Sequence, residues 1–295
     1  AVVFKHLGMN LVSDALHTVM YSGANKAQHA GLVIICGGDP NIKSSTNAQD
    51  VRLFSLHSKL PVLTPSSVQE CKDFVALAFE LSESWDLPVM IYAPAELHHS
   101  SGQVSFSSPQ KIAKTRTFVK NFDKYLNAIH WARKNQEHLF QKIQSISSTQ
   151  PPRDVVECAS WGKARKLVLV PENIQNERSS SEKSLSVCFI ADGICWSYLS
   201  ELFSRRQVSN SVSRSKLAYP LGKSVIPQLL SEINSDVIVI VEEQEPFVEN
   251  QIKTFLFDYR LSSSTEIPII LGKNTFPAVG GLSVDVISES LSKKV

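Results

Sequence analysis

A run of five aliphatic β-branched residues, Val237–Val241 (VIVIV), constrains the fold of this chain more than any other feature. Such a run predicts a strand that is covered on both faces, as in a parallel sheet packed between helices. Glu242, Glu243 and Glu245 follow the run directly. Pro246 is suited to the first turn of a helix. The simplest interpretation is a well-capped strand-to-helix junction, because a helix dipole favours acidic groups near its N-terminus.

Candidate strands and helices alternate along the chain, which is typical of an α/β protein. In the first half, strands are predicted at 2–5, 31–36, 61–63 and 87–92, with helices at 13–22, 48–59 and 66–85. In the second half, strands are predicted at 186–190, 237–241 and 267–271, with helices at 197–204, 225–233 and 247–260. With right-handed crossovers, this order predicts two doubly wound, mostly parallel three-layer domains that are joined by helices.

The expected domain boundaries follow from changes in composition. Residues 1–105 form the first domain, 106–153 a helical connection that ends in the turn-forming stretch 145–153, and 154–295 the second domain. Residues 171–184 are polar and rich in serine, which predicts a surface loop. The chain starts with neither Met nor a complete domain, so we expect it to be a segment of a longer polypeptide whose first domain lacks its N-terminal part.

Composition excludes several classes of function. The 295 residues are 43% hydrophobic and 20% charged, which suits a soluble protein of about two domains. A net charge of +2 gives no electrostatic basis for nucleic-acid binding, and no apolar run is long enough to cross a bilayer. We expect a cytoplasmic protein with neither kind of partner. Five scattered cysteines without a CxxC pair predict buried thiols and not zinc or iron–sulfur ligands.

Six segments of the chain resemble, in the same order, one enzyme family. They are KHLGMNLVSD at 5–14, GLVIICGGDPNIKSSTNAQD at 31–50, LPVM at 87–90, FVKNFDKYLNAIHWARKNQEHLFQK at 118–142, VIVIVEEQEPFVENQ at 237–251 and GKNTFPAVG at 272–280. They resemble the alpha subunit of indolepyruvate:ferredoxin oxidoreductase, with its strings KHVGLNVAAD, HSSQNEQD, EPFVEEQ and GK-T-LP-VG. Several colinear matches over most of the chain are more specific than any one of them.

The resemblance implies a part of a thiamine diphosphate enzyme that oxidatively decarboxylates an arylpyruvate such as indolepyruvate to the acyl-CoA and reduces ferredoxin. It implies that 1–105 is the pyrimidine-side cofactor domain and that 154–295 is similar to the transketolase C-terminal domain. The activating Glu is expected upstream of this chain, so its catalytic residues remain unknown. The GDG…N motif for the diphosphate and Mg²⁺ is expected downstream, as are the cysteines of 4Fe-4S clusters. The segment alone is then expected to be inactive.

The resemblance also implies a set of partners. They are the diphosphate-side domain and the ferredoxin-like domain of the parent chain, a beta (gamma-type) subunit, ferredoxin and CoA. Because a pyrimidine-side domain completes its cofactor site against a diphosphate-side domain, we expect this chain to work within an assembly.

The candidate cofactor-binding residues form two polar groups, each following a predicted strand: His6, Gly8 and Asn10 in the first, and Ser44, Ser45, Asn47 and Gln49 in the second. By resemblance, the first group borders the aminopyrimidine pocket, although a satisfied core histidine is an equal alternative for His6. The second group lies at the ligand-bearing edge of an α/β sheet, and the resemblance places it near cofactor and substrate. Helix capping is the simpler interpretation for several of its members.

Two further motifs are predicted to be structural. Residues 37–40, GGDP, are superficially similar to the GDG motif but lack its partner spacing, so we predict no metal site in this chain. His98 and His99 stand beside Ser100 and are predicted to continue a strand, where neighbouring side chains point to opposite faces and cannot meet one substrate.

Four positions depart from the family strings: Lys43, Thr46 and Ala48 replace His, Gln and Glu, and Glu96 replaces the Arg of TRVSH. The last exchange replaces a guanidinium, which can grip a carboxylate or phosphate, with the opposite charge. Two hypotheses follow. One is a divergent enzyme with altered substrate handling, and the other is a non-catalytic module that serves assembly of such a complex. An upstream Glu-bearing helix and a downstream GDG…N motif would support the enzyme.

Overall fold

The structure of the protein, a computed structural model, describes residues 1–26, 29–106, 108, 118–149, 155–160, 168–169, 185–230, 235–262 and 267–293. The predicted loop at 171–184 and half of the predicted turn at 145–153 lie outside these ranges. None of the helices in the described part of the chain combines the length and the hydropathy that a bilayer crossing needs.

Strands and helices alternate along the chain, which confirms the predicted α/β class. The strands are β1 (Val2–Lys5), β2 (Val33–Gly38), β3 (Val62–Leu63), β4 (Val89–Pro94), β5 (Val156–Ser160), β6 (Val168–Leu169), β7 (Leu185–Ala191), β8 (Ser211–Ser215), β9 (Leu217–Tyr219), β10 (Val237–Val241) and β11 (Ile269–Leu271). The helices are α1 (His6–Leu11), α2 (Ser13–Ser22), α3 (Arg52–Ser58), α4 (Val68–Trp85), α5 (Ala95–His98), α6 (Phe122–Tyr125), α7 (Ile129–Ser148), α8 (Cys195–Arg206), α9 (Ile226–Leu229), α10 (Phe247–Ser262) and α11 (Val284–Ser292).

Two separate sheets organise these elements. The first has the order β1-β2-β4-β3-β9, in which β1, β2, β4 and β3 run parallel and β9 pairs antiparallel with β3. The second has the order β11-β10-β7-β8-β5. Its four strands β11, β10, β7 and β8 run parallel, while β5 at one edge and β6 beside β7 run antiparallel. The parallel centres of both sheets agree with the doubly wound prediction.

The strongest sequence signals correspond closely to the structure. All five residues of β10 are buried, as a strand covered on both faces requires. Ser67 caps α4 by accepting a hydrogen bond from the Glu70 backbone N–H, so this helix begins close to its predicted start at 66. The helix α10 begins at Phe247, as predicted, and ends at Ser262, two residues after the predicted end.

Several local predictions were wrong. The helix α1 was not predicted, and it follows β1 directly, so Gly8 and Asn10 come after the strand as expected but lie within a helix. His98 and His99 lie at the end of the short helix α5 and not on a strand. No two of the cysteines, all of which the structure describes, form a disulfide, but Cys158 is exposed and not buried as predicted.

The two sheets share one hydrophobic core. A single cluster of buried side chains includes Ile34 and Met90 from the first sheet and Cys188 and Ile240 from the second. The strand β9 reinforces this junction, because it comes from the second half of the sequence but pairs with the first sheet. As a result, residues that follow strands in the two sheets lie close enough to form hydrogen bonds.

Candidate functional site

A buried aspartate anchors the start of the polar segment that follows β2. The two carboxylate oxygens of Asp39 accept hydrogen bonds from the Lys43 N–H (2.9 Å), the Ser44 N–H (2.9 Å) and the Ser45 hydroxyl (2.7 Å). Lys5 Nζ lies 3.5 Å from the same carboxylate and donates to the Ser44 hydroxyl. Burial acts to raise the pKa of Asp39, but these hydrogen bonds and Lys5 hold it well below its ordinary value. The GGDP motif therefore orders a loop.

A buried arginine anchors the end of the same segment. The guanidinium of Arg52, 2% exposed, binds Asp50 through Nε (2.9 Å) and Nη2 (2.6 Å). Its Nη1 donates to Asp192 (2.6 Å) and Glu242 (3.1 Å), which follow strands β7 and β10 of the second sheet. Its Nη2 also donates to the Glu243 carbonyl at 2.5 Å. All five N–H groups of the guanidinium are thus used, and the partners come from both sheets.

The acidic junction after β10 has two roles. The Glu242 carboxylate accepts the backbone N–H groups of Val248 and Glu249 at 2.9 Å, so it caps α10 as the simplest interpretation predicts. The same carboxylate binds Arg52, whereas Glu243 accepts the Leu282 N–H at 3.0 Å. Burial raises the pKa of Glu242 to about 7 although Arg52 and the two amides oppose this rise, and burial raises the pKa of Glu243 to about 7 as well.

The structure brings together the two predicted groups of cofactor-binding residues. His6 Nε2 lies 2.9 Å from the Asn47 carbonyl, to which it donates. Asn10 donates to the Gln49 side chain (3.0 Å), which in turn donates to the Asn47 side chain (2.8 Å). The helix α1 and the segment after β2 thus form one polar cluster, while the roles of its residues at a cofactor stay predictions.

His6 is completely buried, yet one of its ring nitrogens lacks a partner. Because Nε2 donates to a carbonyl, Nδ1 carries the lone pair, and no described residue donates to it. Buried polar atoms normally have a hydrogen-bond partner. The interpretation of His6 as a satisfied core histidine therefore fails at Nδ1.

The remaining predicted residues have local structural roles. A Cβ atom at Gly8 would lie 3.0 Å from Phe4 Cβ, so this glycine allows α1 to pack on β1 and is not part of the polar cluster. Ser44 and Ser45 bond to Lys5 and Asp39 and do not cap α3, contrary to the capping interpretation. The N-cap of α3 is Val51, which makes no side-chain cap, and Asp50 just before it accepts the Arg52 N–H at 3.1 Å.

Two of the four departures from the family strings contact each other. Lys43 Nζ lies 3.1 Å from the Glu96 carboxylate, which also accepts a hydrogen bond from Asn41 at 2.6 Å. Burial acts to raise the pKa of Glu96, but Asn41 and Lys43 lower it overall, so Glu96 is ionised near neutral pH. The cation at 43 and the anion at 96 thus compensate each other. Thr46 and Ala48 lie in the same segment as Lys43.

Arg52 and Asp192 were not among the residues that the sequence predicted for the site. Asp192 also accepts a hydrogen bond from the Thr64 hydroxyl at 2.6 Å. A cavity of about 10 Å³ lies beside Arg52 and Asp192, with Tyr92 and Glu243 in its wall, and is large enough for one water molecule. The one signal in the sequence is the short Asp-x-Arg spacing at 50–52, which does not show that the arginine reaches the second sheet.

No group of three or more His, Cys, Asp or Glu side chains in the described ranges is arranged to hold a metal ion. Ser100 donates to the Glu96 carbonyl at 2.6 Å, so the structure does not pair it with the neighbouring histidines as a nucleophile. The described residues thus form a polar edge on the first sheet. Acidic residues of the second sheet bind Arg52, which connects them to this edge.

The chain is similar in sequence to known oxidoreductase subunits. The chain is 28% identical, over 98% of its length, to the indolepyruvate oxidoreductase subunit IorA of Pyrococcus horikoshii, and 30% identical, over 84% of its length, to that of Archaeoglobus fulgidus. The chain is homologous to part of subunit IorA. It spans only 41% and 36% of these two IorA subunits. No protein-family model matches the chain.

The fold agrees with this IorA homology. A solved 2-oxoglutarate:ferredoxin oxidoreductase from Magnetococcus marinus matches 99% of the chain and 52% of its own chain, with a TM-score of 0.56 and 13% sequence identity. The family resemblance and the α/β architecture expected from the sequence are both confirmed. The roles of individual residues in the polar cluster stay predictions.

Proposed function

We propose that this chain is part of a thiamine diphosphate-dependent 2-oxoacid:ferredoxin oxidoreductase, with an arylpyruvate such as indolepyruvate as substrate and ferredoxin and CoA as co-substrates. The observation that carries the proposal is the homology to IorA along almost the whole chain. The polar edge of the first sheet adds chemical support, because ligands of open α/β sheets bind beyond the carboxyl ends of the strands.

The polar cluster fits the pyrimidine side of the cofactor. His6 Nδ1 is a buried acceptor without a donor among the described residues, and an aminopyrimidine carries an amine that can donate. His6, Asn10, Asn47 and Gln49 would hold that ring, while Ser44 and Ser45 are fixed by Asp39 beside it. When bound, thiamine diphosphate supplies the carbanion stabilisation that decarboxylation of a 2-oxoacid needs.

The rest of the catalytic apparatus is proposed to lie in other parts of the enzyme. We assign the activating Glu, the diphosphate and Mg²⁺ site and the 4Fe-4S clusters to other domains, and expect a beta (gamma-type) subunit as partner. In this proposal 1–105 is the pyrimidine-side domain, 106–153 the connection and 154–295 the transketolase-like domain. The segment alone is then inactive, and the complete enzyme is cytoplasmic.

A second candidate function is a non-catalytic module that serves assembly of such a complex. The pairing of Lys43 with Glu96 favours it, because this pair leaves no uncompensated cation at two positions where the family has His and Arg. The contacts between the two sheets would persist in such a module.

The two candidates differ in cofactor binding. Thiamine diphosphate with Mg²⁺ is titrated by calorimetry into the complete polypeptide that contains these residues, with residues 1–295 alone as control. Ferredoxin reduction with indolepyruvate and CoA is then measured. Binding and reduction by the complete polypeptide but not by the segment support the enzyme. Absence of binding by either would support the assembly module.

A further inference from the structure

The segment 43–49 of the proposed cofactor site is held between two buried aspartates. At its start, Asp39 binds the backbone N–H groups of Lys43 and Ser44 and so fixes it to the end of β2. At its end, the Asp50 carboxylate accepts two hydrogen bonds from the Arg52 guanidinium and one from the Glu245 N–H at 3.2 Å. The position of the segment therefore depends on both sheets.

Arg52 carries the link to the second sheet. Through Nη1 it binds Asp192 and Glu242, and through Nη2 it binds the Glu243 carbonyl. The ring of Phe247 lies 5.3 Å from the centre of the guanidinium and covers it. A planar fork of five N–H groups can satisfy this set of acceptors, whereas a lysine offers one point charge and three donors.

The link between the two sheets depends on the balance of charges around Arg52. One guanidinium faces the three carboxylates of Asp50, Asp192 and Glu242, all of which are buried. Removing a charge from a buried group of this kind leaves the remaining charges uncompensated. Because two hydrogen bonds join Arg52 to Asp50, a variant that moves the guanidinium is expected to move Asp50 as well.

We propose that Arg52 is a positioning residue for the pyrimidine-side cofactor contacts. Through Asp50 it sets the place of the Asn47 carbonyl that receives His6 and of the Gln49 side chain that receives Asn10, relative to the second sheet. This inference rests on the proposed function, which assigns those contacts to thiamine diphosphate.

Arg214 provides a matched control. It is 3% exposed, binds Glu70 on α4 and Glu157 on β5, and lies 4.6 Å from the ring of Trp196. It therefore links an element of the first half to the second sheet, as Arg52 does. Its described hydrogen bonds do not involve residues 39–50.

The test compares Arg52→Lys with Arg214→Lys in the complete polypeptide with its partner subunit. We measure the Tm, the Kd for thiamine diphosphate in excess Mg²⁺ and the amide hydrogen exchange of 43–49. Both variants are expected to lower the Tm. Arg52→Lys alone is expected to weaken cofactor binding by about tenfold or more, the usual effect of removing a residue that orients a ligand contact. It alone is expected to speed exchange in 43–49. If Arg52→Lys does not fold, Asp192→Asn is measured in its place, with an expected loss of cofactor affinity in the same direction.

Unchanged cofactor affinity and unchanged exchange in a folded Arg52→Lys protein would overturn the inference. Equal losses in the two lysine variants would also overturn it, because they would reflect general destabilisation. If the wild-type protein binds no thiamine diphosphate, the proposed function fails. The hydrogen exchange of 43–49 then tests by itself whether Arg52 positions this segment. Faster exchange in Arg52→Lys but not in Arg214→Lys supports that role, and equal exchange in the two variants contradicts it.

Discussion

The two buried arginines of this chain differ in what surrounds them. Arg52 and Arg214 are 2% and 3% exposed, and each connects an element of the first half to the second sheet. All the carboxylates around Arg52 are buried, whereas Arg214 binds Glu157, which is 40% exposed, and stacks on Trp196. Burial of the arginine is the same in both places, so the partners decide how strongly each site responds to a change of charge.

The carboxylates near the two arginines titrate differently. Burial raises the pKa of Glu243 to about 7, and the Glu96 carboxylate adds to this rise. Burial also acts to raise the pKa of Glu70, but the hydrogen bonds from Arg214 and Ser66 lower it overall. The pKa of Glu243 thus lies close to neutral, whereas that of Glu70 beside Arg214 lies below its ordinary value.

The largest expected effect is the loss of the guanidinium charge. Arg52→Met should lower the free energy of unfolding by about 3 to 5 kcal/mol, because it leaves buried carboxylates without their cation. Arg214→Met should cost less, since water can reach Glu157. Urea unfolding of both variants measures the difference. A loss for Arg214→Met equal to or larger than that for Arg52→Met would contradict this distinction.

A smaller effect is expected from pH. The folded state binds the proton of Glu243 more tightly than the unfolded state, in which the pKa is near the ordinary 4.5. The resulting stabilisation is complete below about pH 4.5 and is lost as the pH rises through about 7. Glu243→Gln should therefore reduce the fall in unfolding free energy between pH 5 and 7.5, by about 1 to 3 kcal/mol at a scale of about 1.4 kcal/mol per pKa unit.

Glu70→Gln is the control for this pH series. The pKa of Glu70 is lowered in the folded state, so its stabilisation is present above the ordinary pKa of 4.5 and is lost as the pH falls through the folded value. The variant should change the acid side of the stability curve and leave the slope between pH 5 and 7.5 unchanged. An unchanged slope in Glu243→Gln would show that Glu243 titrates normally.

The smallest expected effect concerns the ion pair between Lys43, at the start of the segment 43–49, and Glu96. Lys43 is 58% exposed, so its pair with Glu96 is screened by water. A double-mutant cycle with Lys43→Met and Glu96→Gln should give a coupling energy of about 0.2 to 1 kcal/mol. A coupling of several kcal/mol would mean that this pair behaves like the buried site around Arg52.

Much of the fold could be predicted because its signals are local. The five aliphatic residues of β10 and the serine cap of α4 identify their elements without help from the rest of the chain. The strand β8 was missed, because its sequence SVSRS is polar although four of its five residues are buried. The start of α1 was missed because no side-chain cap marks it.

Only part of the candidate site could be predicted, because some of its contacts join residues far apart in the sequence. The residues of the polar cluster stand in short motifs that resemble the family and lie about 40 positions apart. The two carboxylates of the second sheet that bind Arg52 lie 140 and 190 positions away, and no periodicity shows which carboxylates will meet a given arginine. That information arises when the two sheets pack together.

Hydrogen exchange of the complete polypeptide, with and without thiamine diphosphate and Mg²⁺, tests most directly whether the polar edge of the first sheet is a cofactor site. The amides of 43–49 and of α1 should become protected when the cofactor binds, while the surroundings of Arg214 should be unchanged. Cofactor binding that leaves 43–49 and α1 unprotected would contradict the assignment of His6, Asn10, Asn47 and Gln49.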